Sequence, residues 1–172
     1  MRGVKPMPQK YSTDVYKRQM TEKYFNMVYR LSYSGTKDKN HAEDVCQDVF
    51  YKFLKTDKEF ESEEHIKSWL IRVTVNQCKS VFLSSWFKKT VPISEREDEL
   101  VFTTPEKNDL HLVIKKLPQK YATVIHLFYY EDLPVAKIAQ ILGEKESTVK
   151  SHLHRARNML KELLGGRYDY EF

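Results

Sequence analysis

Apolar residues recur at steps of three and four along most of the chain. This spacing predicts amphipathic helices at about 21–34, 40–56 and 63–85, followed by further helices around 110–117 and 119–128. We find no convincing strand-like alternation and no internal repeat. The pattern therefore predicts an all-α fold.

The apolar positions also predict which side of each long helix is buried. For the second helix the expected core positions are Ala42, Val45, Val49, Phe50, Phe53 and Leu54, and for the third they are Ile66, Trp69, Leu70, Val73 and Phe82. Gly35 is expected to end the first helix.

A break in the periodicity divides the chain. Residues 89–105 contain two prolines and mixed charge, which is typical of an interdomain linker. We therefore predict two small helical domains, at 20–88 and 106–166, joined by a flexible linker. Residues 167–172 are expected to form a frayed tail.

The first nineteen residues look foreign to this pattern. The segment 14–19 resembles the translation of a transposon-end adapter used in sequencing libraries. We expect residues 1–19 to be a non-native or disordered leader, and a native basic tail is the alternative.

Residues 134–157 predict a helix-turn-helix. A short apolar helix ends at Gly143, a residue type that tolerates a positive φ at a helix C-terminus. Ser147 is expected to cap the helix that follows. A unit of this kind places its second helix in the major groove, so the sequence predicts DNA binding.

The second helix of this motif has two distinct stripes. The stripe expected to be buried comprises Val149, Leu153, Ala156, Leu160 and Leu163. The other face carries groups that can donate to phosphates or base edges, namely Ser147, Lys150, Ser151, His154, Arg155 and Asn158. An arginine such as Arg155 can pair with guanine through two hydrogen bonds. The alternative is an ordinary solvated helix face.

The net charge and the cysteine content limit the classes of protein to which the chain can belong. The net charge of +5 in 172 residues is modest for a protein that binds DNA unaided. Either the positive charge is concentrated locally, or a partner brings the chain to DNA. The only cysteines, Cys46 and Cys78, form no paired framework, which favours a reducing, cytoplasmic compartment. No membrane-spanning run is visible in the sequence.

The second predicted helix carries an acidic face opposite its apolar stripe. Asp44, Gln47, Asp48 and Tyr51 share this face, and Glu43 adds to its charge. Such a face can simply keep the helix soluble, or it can dock a basic partner. In either case DNA would repel it.

The third predicted helix carries a different stripe. Arg72, Asn76 and Lys79 follow one another at steps of four and three, near several aromatic residues. Cations and amides interleaved with aromatic rings suit single-stranded nucleic acid. For Trp69 and Phe82 we favour a place in the core over base stacking.

Three segments together resemble a known family. They are HAEDVCQDVFYKFLK (41–55), HIKSWLIRVTVNQCKS (65–80) and LPQKYATVIHLFYYEDLPVAKIAQILGEKESTVKSHLHRARNMLK (117–161). In this order they resemble bacterial RNA polymerase sigma factors of the extracytoplasmic-function (ECF) group, over most of residues 21–166. The resemblance implies a factor that directs core polymerase to −10 and −35 promoter elements.

The resemblance also implies roles for particular residues. Asp44, Gln47 and Asp48 would dock on the clamp of the largest polymerase subunits. The loop at about 56–65 would capture a flipped base of the −10 element, with Asn76 helping to form the pocket and with Arg72 and Lys79 holding the strand. The face that includes Lys150, Ser151, His154 and Arg155 would read the −35 element. The resemblance also allows for an anti-sigma partner, and no cofactor or metal is expected.

The acid content of one loop departs from the family pattern, and two other classes of protein stay open. The loop 56–65 is rich in acidic residues, which puts its base contacts in doubt. A dimeric transcription regulator would leave the acidic face and the stripe on the third helix without a role. An enzyme is disfavoured, because the sequence has no phosphate-binding glycine loop, zinc-ligand spacing or nucleophile set.

Overall fold

The computed structural model describes residues 13–84 and 113–164, and all regular structure within them is helical. The longer helices are α1 (Asp14–Thr36), α2 (Lys39–Lys55), α3 (Glu63–Leu83), α4 (Gln119–Ile125), α5 (Val135–Leu142) and α6 (Glu146–Leu163), and residues 113–115 are also helical. A π-helical segment, His126–Tyr130, continues α4. The predicted linker at 89–105 and tail at 167–172 lie outside the described residues.

Helix α1 begins earlier than the sequence predicted. Thr13 caps it by accepting a hydrogen bond from the Tyr16 amide at 3.3 Å. Lys17 is buried, and its ammonium donates to the Thr56 carbonyl oxygen at 2.7 Å. The predicted start near residue 21 is therefore wrong. The interpretation of residues 1–19 as a non-native leader stays a prediction.

Helices α1, α2 and α3 form the first bundle. Asp38 caps α2 and Ser62 caps α3, each accepting from a backbone amide three residues further along. Side chains from all three helices fill the core, including Leu31, Phe53 and Leu70.

The last residues of the predicted apolar stripes on α2 and α3 lie outside the core. Leu54 is 42% exposed and Phe82 is 49% exposed, so their predicted burial is wrong. Both lie at the last turn of a helix, where the neighbouring helices no longer cover that face.

Helices α4, α5 and α6 form the second bundle, which contains the predicted helix-turn-helix. Gly143 ends α5 with φ 68°, which confirms the predicted left-handed turn. Ser147 does not cap α6, because that helix already begins at Glu146 and Lys145 occupies the cap position. The predicted α6 stripe is buried from Val149 to Leu160, but Leu163 is 43% exposed.

The two bundles pack against each other, with α1 against α4 and α3 against α5. Their apolar cores join into one cluster. The Lys37 ammonium on one side donates to the Leu117 carbonyl oxygen on the other. Within the described part of the chain, no helix has both the length and the apolar character needed to cross a membrane.

Candidate nucleic-acid interface

The exposed face of α6 carries all six predicted DNA-contacting residues. Ser147, Lys150, Ser151, His154, Arg155 and Asn158 are each solvent-exposed. On the opposite face Val149 and Leu153 are buried, so this orientation of α6 is fixed by the core. The Asn158 amide nitrogen lies 3.2 Å from His154 Nε2, which holds these two side chains together.

Tyr121 of α4 lies beneath this face and was not predicted to have a role there. The Arg155 guanidinium interacts with its hydroxyl and holds the pKa of Tyr121 below its ordinary value. The His152 ring packs edge-on against the Tyr121 ring, with 5.6 Å between centroids. The sequence does not reveal the contact between Tyr121 and Arg155, because Tyr121 lies in another helix, 34 residues before Arg155.

Arg157 lies outside the predicted DNA-contacting set, and the structure gives it a packing role. Its Nε donates to the Tyr129 hydroxyl at 2.9 Å, and its guanidinium lies 5.5 Å from the Phe128 ring centroid. Arg157 therefore ties α6 to the π-helical segment.

The stripe on α3 is also on the surface. Arg72, Asn76 and Lys79 are exposed along one side of the helix. Trp69 instead packs against Phe53 and Phe60, with centroids 5.8 Å from each, which confirms its predicted place beside the core.

The loop between α2 and α3 is anchored next to this stripe. Phe60 is 5% exposed and its ring meets the His65 ring edge-on at 5.3 Å. The loop, the first half of α3 and α5 together border a cleft of about 400 Å³. The residues that line it are Lys58, Glu61, Ser62, Glu64, His65, Ser68, Trp69, Arg72, Lys137, Gln140 and Ile141.

Two acidic residues at the start of α3 have cationic partners. Glu63 accepts from the Lys23 ammonium and from the Tyr24 hydroxyl, the latter at 2.7 Å, and these bonds lower the pKa of Glu63. Glu64 Oε1 lies 2.9 Å from Lys137 Nζ. The acid-rich segment that put the base contacts in doubt is therefore partly neutralised by residues distant in sequence.

The acidic residues of α2 form a separate exposed face. Asp44, Gln47 and Asp48 are exposed together. Asp48 Oδ2 accepts a hydrogen bond from Gln77 Nε2 at 3.3 Å, so this face borders α3. The adjacent Tyr51 is 65% exposed.

The sequence matches two family profiles. Residues 20–87 match "Sigma-70 region 2" and residues 107–160 match "Sigma-70, region 4". Among relatives, the RNA polymerase sigma factor SigV of Bacillus subtilis is 32% identical over 140 residues, which cover 77% of this chain and 81% of SigV. The ECF RNA polymerase sigma factor SigM of the same organism is 31% identical over 151 residues, covering 81% and 90% respectively.

Solved structures share the fold. The sigma factor RpoE from Bartonella quintana, in complex with the anti-sigma factor NepR, has a TM-score of 0.65 and 23% identity. The match covers 88% of this chain and 98% of that one. CnrH, in complex with the cytosolic domain of CnrY, has a TM-score of 0.61 and 19% identity, covering 93% and 95%.

An N-terminal bundle and a helix-turn-helix bundle, each matching its own profile, define a two-domain promoter-recognition factor. The chain belongs to the ECF group of the sigma-70 family of RNA polymerase sigma factors. It is a transcription initiation factor and not an enzyme, and its regions 2 and 4 recognise −10 and −35 promoter elements. The alternatives of an enzyme and of a dimeric regulator are therefore wrong.

Proposed function

We propose that three exposed faces of this sigma factor each bind a different partner. The face of α2 binds core polymerase through Asp44, Gln47 and Asp48. The stripe of α3 holds the single-stranded −10 element through Arg72, Asn76 and Lys79. The face of α6 reads the −35 element through Ser147, Lys150, Ser151, His154, Arg155 and Asn158. The observation that carries the proposal is that each set lies exposed on a single helix.

Major-groove readout by α6 is supported by its fixed orientation. Because the turn at Gly143 and the buried stripe fix the orientation of α6, only its opposite face is exposed to solvent. Arg155 is long enough to reach a base edge, and its interaction with Tyr121 limits its freedom before binding. Restricting a side chain in this way reduces the entropy lost when DNA is bound.

Binding of the −10 strand by α3 is supported by chemistry and by location. Arg72 and Lys79 supply positive charge along one line, and Asn76 between them offers both a donor and an acceptor to a base. The adjacent cleft offers space beside the half-buried Trp69. Base capture costs a few kcal/mol of unstacking, which polymerase binding and −35 readout can offset.

Docking on polymerase through α2 is supported by the sign of its charge. Two exposed carboxylates would be repelled by DNA and attracted by a basic protein surface. We expect this surface on the clamp of the largest subunit. A factor delivered by polymerase also needs less charge of its own, consistent with +5.

We further infer control by an anti-sigma factor and action in the cytoplasm. Two solved proteins of the same fold are each in complex with a partner, described as an anti-sigma factor in one case and as a cytosolic domain in the other. Core polymerase and promoter DNA are in the same compartment. A pull-down with the full chain as bait would test this control.

The central test is transcription in vitro with core polymerase on a promoter library. Asp48→Arg should weaken core binding about tenfold or more, whereas the matched change Glu162→Arg on α6 should not. Asn76→Ala should reduce promoter opening more than core binding. Equal losses in both steps would mean a folding defect and would contradict the role of Asn76.

Base readout by Arg155 needs its own measurement. Arg155→Ala should lose about 1–3 kcal/mol of discrimination at one position of the −35 element. Lys161→Ala, an exposed cation further along α6, is the matched control. A selected −35 sequence that is the same for wild type and Arg155→Ala would refute the assignment.

A further inference from the structure

The loop that joins α2 to α3 carries a high negative charge beside the proposed −10 strand site. The carboxylates in the loop or directly after it are Asp57, Glu59, Glu61, Glu63 and Glu64. The loop borders the same cleft as Arg72, which belongs to that site. Phosphates repel carboxylates over distances of up to about 10 Å at ordinary salt. A DNA strand can therefore bind here only if these charges are neutralised or held away from it.

Glu63 is turned away from the cleft, unlike its neighbours in sequence. Residues 61–62 and 64–65 line the cleft, whereas Glu63 does not. Glu63 Oε1 instead accepts hydrogen bonds from two groups of α1, the Tyr24 hydroxyl at 2.7 Å and the Lys23 ammonium. Both donors lie in the middle of α1, about 40 residues before Glu63.

Tyr24 and Lys23 are chemically suited to hold a charged carboxylate. Burial raises the pKa of Tyr24, and the bond to Glu63 raises it further, so the hydroxyl keeps its proton and donates it. Lys23 supplies the opposite charge. The two bonds lower the pKa of Glu63, so this carboxylate is ionised at neutral pH and is paired with Lys23.

The backbone of Glu63 is fixed independently of this contact. Ser62 caps α3 by accepting from the His65 amide at 3.1 Å, and Phe60 is buried against Trp69. The side chain of Glu63 is 38% exposed, so it has room to move if its partners are removed. A released Glu63 carboxylate would therefore swing on a fixed backbone, next to residues that line the cleft.

We propose that Lys23 and Tyr24 of α1 are positioning residues for the −10 strand site, because they hold the Glu63 carboxylate away from the DNA. They act through Glu63 and do not contact the DNA themselves. This role rests on the proposed binding of the −10 strand along α3. It gives α1 a part in promoter opening that is separate from core binding.

The test uses holoenzyme assembled from core polymerase and the full chain. The probe is a promoter selected from a random library by the wild-type holoenzyme, and opening is followed by permanganate reactivity of unpaired thymines. Lys23→Met with Tyr24→Phe removes both donors but keeps the aliphatic stem and the ring. It should reduce opening about threefold to tenfold, with core binding changed by less than about twofold. The ratio of wild-type to variant opening should fall as the salt concentration rises.

A second substitution separates charge from packing. Glu63→Gln removes the charge that the two donors hold, so adding it to Lys23→Met with Tyr24→Phe should restore opening to within about twofold of wild type. Lys39→Met, at an exposed position of α2, is the matched control for loss of one positive charge and should leave opening unchanged. Glu59→Gln, at an exposed position of the same loop, should act additively with the loss of the two donors.

Three results would each overturn the proposal. They are normal opening by Lys23→Met with Tyr24→Phe, a loss that Glu63→Gln does not relieve, and a loss of the same size at every salt concentration. Circular dichroism checks the helix content of each variant. If the double variant loses helix, Lys23→Gln alone replaces it in the same cycle, with an expected loss of about twofold to threefold.

Arg72→Ala distinguishes failure of this proposal from failure of the strand site itself. If Arg72→Ala opens the promoter normally, the −10 strand does not lie along α3, and the role of Lys23 and Tyr24 is wrong as well. If Arg72→Ala impairs opening but Lys23→Met with Tyr24→Phe does not, only the role of α1 is wrong.

Discussion

Replacement of Gly35 by alanine should destabilise the packing of α1 on α3. An ideal Cβ atom at this position would lie 2.7 Å from Cys78 Sγ and 2.8 Å from Cys78 Cβ. Non-bonded carbon atoms prefer about 3.5–4.0 Å, so the helices would have to separate by up to about 1 Å. Cys78 is 2% exposed and has little room to turn away.

The magnitude follows from two opposing effects. Overpacking of a well-packed core costs about 1–3 kcal/mol. Alanine is favoured over glycine inside a helix by up to about 1 kcal/mol, but Gly35 is the last residue but one of α1, where this gain is smaller. We expect a net loss of about 1–2 kcal/mol in the free energy of unfolding, or about 3–6 °C in melting temperature.

A double-mutant cycle in urea, followed by circular dichroism, separates this clash from other effects. Cys78→Ala keeps the Cβ atom at 2.8 Å and should relieve the loss only in part, whereas Cys78→Gly should relieve it fully. The coupling between Gly35→Ala and Cys78→Gly should be about 1 kcal/mol or more. Additive effects, or a Gly35→Ala chain as stable as wild type, would refute the steric reasoning.

Three further predictions concern the turn, a helix cap and the cysteines. Gly143→Ala should cost about 1–2 kcal/mol of unfolding free energy because φ is 68°, and Gly143→Asn should cost less; equal losses in urea unfolding would contradict this. Burial raises the pKa of Asp38, but bonds from His41 outweigh it and hold the pKa below the ordinary value for an aspartate. The stabilisation of α2 by the charged cap is therefore complete above that ordinary pKa and is lost as the pH falls through the lower pKa of the folded state. Asp38→Ala should thus cost about 1 kcal/mol near neutrality and less in acid. A loss independent of pH would exclude the charged cap. Burial raises the pKa of Cys46 to about 11 and that of Cys78 to about 12, so iodoacetamide near pH 8 should modify them quickly only in unfolded protein; rapid reaction of the native chain would be inconsistent with their burial.

Local signals in the sequence predicted most of the helices. The bounds of α2 and α3 agree with the periodicity to within about two residues, and the turn at Gly143 follows from a glycine between two apolar periods. The exposed faces of α3 and α6 also follow from helical spacing, because the apolar stripe on the opposite side of each helix determines which residues are buried. Their roles in binding stay predictions.

Contacts between distant segments were not predictable in this way. Lys67 and Glu131 form an ion pair although they lie 64 residues apart. In the sequence, each of them looks like an ordinary charged surface residue. The same holds for Tyr121 beneath Arg155. Periodicity also fails at helix ends, where Leu54, Phe82 and Leu163 continue an apolar pattern beyond the helices that could cover it.

The π-helical segment His126–Tyr130 sets the direction in which Glu131, the residue that follows it, points. The Glu131 amide donates to the His126 carbonyl oxygen five residues back, at 3.2 Å, instead of four residues back as in an α-helix. One residue of an α-helix corresponds to about 100° of rotation, so loss of a single residue here would turn Glu131 by about that angle. Glu131 would then point away from Lys67. A change of one residue in the length of this segment would thus break a contact between the two bundles even though both residues of that contact are still present.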